Sequence, residues 1–132
     1  MKHGKRSLIL GLFAGLECAT GIGLFLAPGV VIGLLFGQFQ PAPESLLLAR
    51  LGGAALLTIG VASWGARTFD KSPASFGLLI GITLYNGLAT VVLAYGALGL
   101  NMRGILIWPA VLIHTALLVW CLATVLRVLR RH

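Results

Sequence analysis

The sequence predicts an all-α protein, a transmembrane four-helix bundle formed by one domain that takes in the whole chain. Three observations carry that expectation. Only 10% of the 132 residues are charged while 58% are hydrophobic. A soluble domain carries about 25% charged residues, so this inventory cannot build a water-facing surface. Four apolar runs, at residues 7–27, 46–66, 75–98 and 105–126, are each long enough for the about 20 residues that cross a hydrocarbon core. Finally, the basic residues cluster at alternate span ends, the pattern that marks the cytoplasmic side of a membrane protein.

Span one, residues 7–27, follows Lys2, Lys5 and Arg6. Its apolar run exceeds the 7–15 residues of a signal-peptide core, and Pro28 stands where cleavage needs a flexible extended peptide, so it reads as a retained helix. The next connection, "PGVVIGLLFGQFQPAPES", contains Val30 to Phe36, too short to span and too apolar for water. That segment is expected to lie in the interface as a short helix or a returning turn. Pro41 and Pro43 stiffen the approach to span two, residues 46–66, with Ser45 or Glu44 as its N-terminal cap. "RTFDKSPAS" is a polar turn in which Ser72 and Pro73 open span three, residues 75–98. The tight "GLNMRG" then makes spans three and four (105–126) antiparallel neighbours. Pro109 falls near the start of span four, where a proline lacks little because the amide has no partner there. Trp108, Phe39 and Tyr95 suit one interfacial aromatic belt, Trp64 and Phe69 the other, and Trp120 lies deeper.

Sidedness follows from the connections. Lys2, Lys5, Arg6, Arg67, Lys71, Arg127, Arg130 and Arg131 lie on one side, against Arg50 and Arg103 on the other. Both termini are therefore expected in the cytoplasm, and the lipid bilayer is the expected partner. The formal net charge of +7 gives no clustered basic face with interleaved aromatics, so nucleic acid is not expected as a partner.

In lipid, small residues let helix backbones approach. Gly11, Gly15, Ala19 and Gly23 recur every four residues on span one and form the expected helix-packing face, toward another helix of the chain, another copy or another subunit. Gly77 and Gly81 repeat that spacing on span three, and Gly52, Gly53, Ala54, Ala55 and Gly60 supply span two. Glu17 lies about 200° around the helix from Gly15, on a face with Ala14, Thr20, Gly21 and Leu24. Span one thus presents one tight face and one polar face.

At a rise of about 1.5 Å per residue, Glu17, Tyr85, Asn86 and His114 all reach the middle of the bilayer. Thr83, Asn86 and Thr90 make one polar stripe on span three. Arg50 sits roughly 6–9 Å nearer the outer face by the same rise, with a side chain able to reach either way. Glu17, Arg50, Tyr85, Asn86 and His114 are therefore the expected buried polar cluster and a candidate proton or ligand site. An ionised carboxylate at that depth costs at least a few kcal/mol, so such residues pair or line a wet cavity. A protonated Glu17 hydrogen-bonded to His114 or Asn86 as a structural lock is the alternative, and a contact with a partner subunit is a third.

No catalytic residues and no metal site are expected, since no His, Cys and carboxylate spacing resembles zinc ligation. Cys18 and Cys121 are read as small core residues. No cofactor is expected. A single-histidine haem or a quinone near His114 and Trp120 is a weaker alternative, because His3 and His132 are terminal and cannot complete a bis-histidine site.

The segments "ECATGIGLFLAPGVVIGLLFG", "ARLGGAALLTIGVASW", "YNGLATVVLAYGALG" and "GILIWPAVLIH" together resemble a recurrent type of small bacterial four-span membrane protein without an assigned biochemical role. The resemblance implies the inner (plasma) membrane and a polar site at Glu17, Arg50, Tyr85, Asn86, Trp108, Pro109 and His114. Ser63 stands before Trp64 where such proteins often carry Cys. Two functional readings follow. One is a non-enzymatic bundle acting as a homo-oligomer or as an accessory subunit of a larger membrane complex. The other is a proton-coupled small-solute transporter using Glu17, for which small four-span exporters with a Glu in span one are an analogy only.

Overall fold

In a computed structural model, the structure describes residues 3–68 and 72–130, with side chains from residue 7 onward. Lys2, Phe69, Lys71, Arg131 and His132 lie outside the described residues, as do the side chains of His3, Lys5 and Arg6. Five helices run in the order α1 (His3–Leu26), α2 (Pro28–Phe36), α3 (Pro43–Ala66), α4 (Pro73–Leu98) and α5 (Ile107–Leu129). Four of them, α1, α3, α4 and α5, are long and apolar enough to cross a membrane. The expected spans are thus found, each with slightly different ends.

Prolines and glycines set the boundaries. The chain breaks at Ala27 (φ −131°, ψ 56°), and Pro28 opens α2 at a first-turn position where its missing amide costs nothing. The short segment after span one is therefore a helix, one of the two forms expected. Gly37 closes it with φ 77°, its amide donating to the Gly33 carbonyl at 2.9 Å. That left-handed cap favours glycine. Pro43 opens α3 after Ala42, so neither Ser45 nor Glu44 is the N-cap; Glu44 instead lies in the first turn, where an acidic group suits the helix dipole. The Ser72 hydroxyl does cap α4, accepting from the Ser75 amide at 3.1 Å. Between α4 and α5, Asn101 takes φ 54° and its side-chain oxygen accepts from Arg103. Pro109 sits in the first turn of α5 as expected.

α1 packs most extensively against α3, and α4 against α5. The α1–α3 seam is a backbone contact. A Cβ at Gly53 would stand 2.7 Å from the Gly21 carbonyl oxygen and 2.8 Å from the Phe25 nitrogen; one at Gly21 would stand 2.8 Å from the Gly53 carbonyl oxygen. Gly60 faces Cys18 and the Ala14 carbonyl in the same way. Within the chain, the seam does not use the expected packing face. Gly11 and Gly15 have nothing within 4 Å of a Cβ position, Ala19 is exposed, and Gly23 alone of the four meets a neighbour, Val31 of α2. Gly77 and Gly81 on α4 are also open. The reason is reciprocity: backbones close only where small residues meet small residues, and α3 offers Gly53 and Gly60 to Ala14, Cys18 and Gly21.

The two pairs meet through side chains. Ile9, Leu10 and Phe13 of α1 pack with Leu79 and Ile82 of α4 and with Leu117, Cys121 and Val125 of α5 to form an apolar core. At the other end, α2 bridges the pairs. The Leu34 carbonyl accepts from the Leu106 amide at 2.9 Å, and a Cβ at Gly104 would overlap the Leu34 and Leu35 carbonyls. The outer surface is densely apolar, with Leu48, Val92 and Leu112 each about two-thirds exposed. Such a surface needs lipid rather than water, and helices with internally satisfied backbones are the form that lipid accepts.

Candidate functional site

The one carboxylate among the described residues of the four spans' interior is Glu17, on the α1 face that points away from the open glycine ridge. It is 1% exposed. Phe13, one turn earlier and on the same face, belongs to the apolar core beneath it. Glu17 thus sits where that core ends.

Across the seam, α4 delivers two adjacent polar residues with different tasks. Tyr85 reaches α1: its hydroxyl donates to Glu17 Oε2 at 3.3 Å. That is long for a hydrogen bond between oxygens, whose usual length is about 2.7–2.8 Å. The Tyr85 ring stands edge-on to Phe13 with centroids 5.9 Å apart, and edge-on to the His114 imidazole at 5.7 Å. Asn86 turns instead toward α5. Its Nδ2 donates to the Ile82 carbonyl at 2.8 Å, and its Oδ1 lies 2.9 Å from His114 Nδ1.

These two contacts settle how the histidine carries its hydrogen. A backbone carbonyl only accepts, so the Asn86 amide nitrogen must face Ile82 and its oxygen must face the imidazole. An amide oxygen also only accepts, so His114 Nδ1 bears a hydrogen in either protonation state. In the neutral ring Nε2 is then left with its lone pair as the acceptor. Asn86, fully buried, fixes both the ring's orientation and its tautomer.

Glu17 is treated differently. Oε2 has one long bond from Tyr85, and Oε1, fully buried, has no hydrogen-bond partner among the described residues. Four other hydroxyls of the bundle are occupied within their own helices. Thr83 donates to Leu79, Thr90 to Asn86, Thr115 to Val111 and Ser63 to Ile59, each to the carbonyl four residues back. The hydroxyls of the expected Thr83, Asn86 and Thr90 stripe thus serve local bonds, and the stripe reaches α5 through Asn86 to His114 and through the Thr115 hydroxyl 3.5 Å from that of Thr90.

Of the five expected cluster residues, Glu17, Tyr85, Asn86 and His114 come together around Tyr85 and Asn86. Arg50 does not. It is exposed, three residues before Gly53 and so about 60° around the helix from the α1 contact. It lies at the edge of the buried stripe, and helical side chains lean toward the N-terminus, which carries Arg50 further from Glu17. Trp108 is also exposed, half its surface free, and Pro109 serves the helix start. Phe13 is the member that sequence reading overlooked; its place four residues before Glu17 was the available signal. Cys18 and Cys121 are both free thiols, and among the described residues no three His, Cys, Asp or Glu side chains gather as metal ligands would. No protein-family model, curated protein or solved structure matches the chain.

Proposed function

We propose that the chain is a non-enzymatic carrier of the bacterial inner membrane, both termini in the cytoplasm, that couples a small solute to protons through Glu17. The observation that supports this most is the half-satisfied carboxylate at the seam between two helix pairs. A residue kept only to lock the bundle should have every lone pair answered, because a partly satisfied buried network is worse than an apolar core. Glu17 has one long bond and one bare oxygen. It also sits where α1 with α3 could move against α4 with α5 without opening the glycine seam, since only side chains join the pairs there. The resemblance to small four-span bacterial proteins points to Glu17, Tyr85, Asn86 and His114 among its site residues but supplies no activity.

The test is proton flux in vesicles containing the purified chain. Glu17→Gln is the informative variant, because its carbonyl can still accept from Tyr85 and so leaves that contact in place. Flux driven by an imposed pH difference should fall to the level of empty vesicles. Unchanged flux in vesicles of the Glu17→Gln variant would refute the carrier.

A second reading, a homo-oligomer or an accessory subunit of a larger complex, is favoured by the open ridge of Gly11, Gly15 and Ala19, which no other helix covers among the described residues. Gly15→Leu that left every co-purifying copy or partner in place would argue against it.

A further inference from the structure

The carrier reading names a proton site but no solute, and the donor and acceptor inventory around Glu17 narrows the solute's chemistry. On that reading, we propose that the ligand is a small primary ammonium-type cation, ammonium or a short alkylammonium, that exchanges with the proton on Glu17. The protein side offers acceptors. Glu17 Oε1 is buried without a partner, and the Asn86 contact leaves Nε2 of the neutral His114 ring as an acceptor. Tyr85 stands between the two, its hydroxyl already given to Glu17 and its ring edge-on to His114. The hydroxyls of Thr83, Thr90 and Thr115 are committed within their own helices, so the charge a ligand meets here is set by the Glu17 carboxylate once its proton has left.

A ligand for the bare Glu17 oxygen must bring N–H or O–H groups and tolerate a negative charge. An ammonium group brings three or more N–H donors and one positive charge. The surrounding Phe13, Tyr85 and His114 rings meet edge to face, and aromatic faces attract such cations, more strongly where water is excluded. Hard metal cations suit the place less well, since calcium takes six to eight oxygen ligands and magnesium six, against one carboxylate and one committed hydroxyl here. A quaternary ammonium has the charge but no N–H to answer Oε1. The exchange is balanced: the ammonium enters as an ion, the Glu17 carboxyl releases one proton, and the ion pair that remains is neutral.

The experiment uses the full chain in detergent with a soluble pH indicator and little buffer. Methylammonium chloride is added, with sodium chloride and tetramethylammonium chloride at equal ionic strength as comparisons. Methylammonium should release protons saturably, up to one per chain, and the other two salts should not; Glu17→Gln should abolish the release. Equal release by methylammonium and sodium, or by methylammonium and tetramethylammonium, overturns the proposal, and this comparison on the unaltered chain decides it even if a variant fails to fold. Glu17-dependent proton flux in vesicles with a silent methylammonium titration would sink the ligand class alone. Loss of both would sink the carrier reading with it.

Discussion

Replacing Gly53 by Ala should loosen the α1–α3 seam, and the geometry sets the size of the effect. The new methyl carbon would stand 2.7 Å from the Gly21 carbonyl oxygen, 2.8 Å from the Phe25 nitrogen and 3.0 Å from the Leu24 Cβ. Ordinary contact begins at about 3.4 Å, so the helices must part by about 0.7 Å (3.4 less 2.7). Two of the three obstructing atoms are backbone and cannot rotate aside. A radial gap of about 0.5–1 Å forfeits a quarter to a half of each dispersion contact along the seam, and overpacking of this kind costs about 1–3 kcal/mol. Alanine's better helix propensity offsets roughly 1 kcal/mol of that, leaving a net loss of up to about 2 kcal/mol. Gly15→Ala makes the matched control. Nothing lies within 4 Å of its Cβ position, so only the propensity gain remains, and the variant should be as stable as the parent or up to about 1 kcal/mol more so. The propensity gain is common to both variants, so they should differ by the overpacking cost alone, about 1–3 kcal/mol. Reversible unfolding by sodium dodecyl sulfate in mixed micelles, followed by the fluorescence of the three tryptophans, measures both. If they fall within about 0.5 kcal/mol of each other, the scatter usual for substitutions that touch nothing, the assignment of the seam is wrong.

Further outcomes follow from the same contacts. Gly104→Ala should undock α2 from the α4–α5 turn, seen as faster hydrogen exchange at the Leu106 amide, which now bonds to the Leu34 carbonyl. Gly37→Val, at φ 77°, should cost roughly 1–2 kcal/mol for the left-handed backbone while Gly37→Asn costs less. Asn86→Ala and His114→Ala should be non-additive, with a coupling of about 0.5–3 kcal/mol, and nitrogen-15 spectra of the parent should show hydrogen on Nδ1 of His114. Additivity of the pair, or an Nε2–H ring, would contradict the geometry at Asn86.

The spans could be read from the sequence because apolar length and proline placement act locally. Pro28, Pro43 and Pro73 each open a helix in the structure, and no tertiary contact is needed to place them. Rotation about the helix axis was harder to read. Gly11, Gly15, Ala19 and Gly23 form a regular ridge, yet close approach needs a complementary surface, and α3 matches Ala14, Cys18 and Gly21 instead. The polar cluster was legible in depth, since rise per residue converts sequence distance to height. Depth says nothing of azimuth, which is why Arg50, at a plausible height, lies outside the cluster while Phe13, an unremarked apolar residue, lies against Tyr85. The opposite assignments of Tyr85 to α1 and Asn86 to α5 need only that adjacent residues on a helix point about 100° apart, but which goes where depends on the fold.

The difference between a lock and a site at Glu17 comes down to what its environment would do if the carboxyl were absent. A lock would leave Tyr85 without an acceptor, and nothing else would change at Asn86 and His114, whose bonds close on Ile82 and on each other. The histidine side of the cluster is thus self-sufficient, and its rigidity does not require Glu17. Nor does Glu17 gain much from Tyr85 in return, given a bond of 3.3 Å to one oxygen only. Two elements that hold themselves in place, with a weakly held acid between an apolar core and the α2-bridged end, are the arrangement on which the carrier proposal rests. Tyr85→Phe separates the cases. A brace should lose about 1–3 kcal/mol on leaving the buried acid without its donor; a receptor should lose less stability, because the site already accommodates one unanswered oxygen.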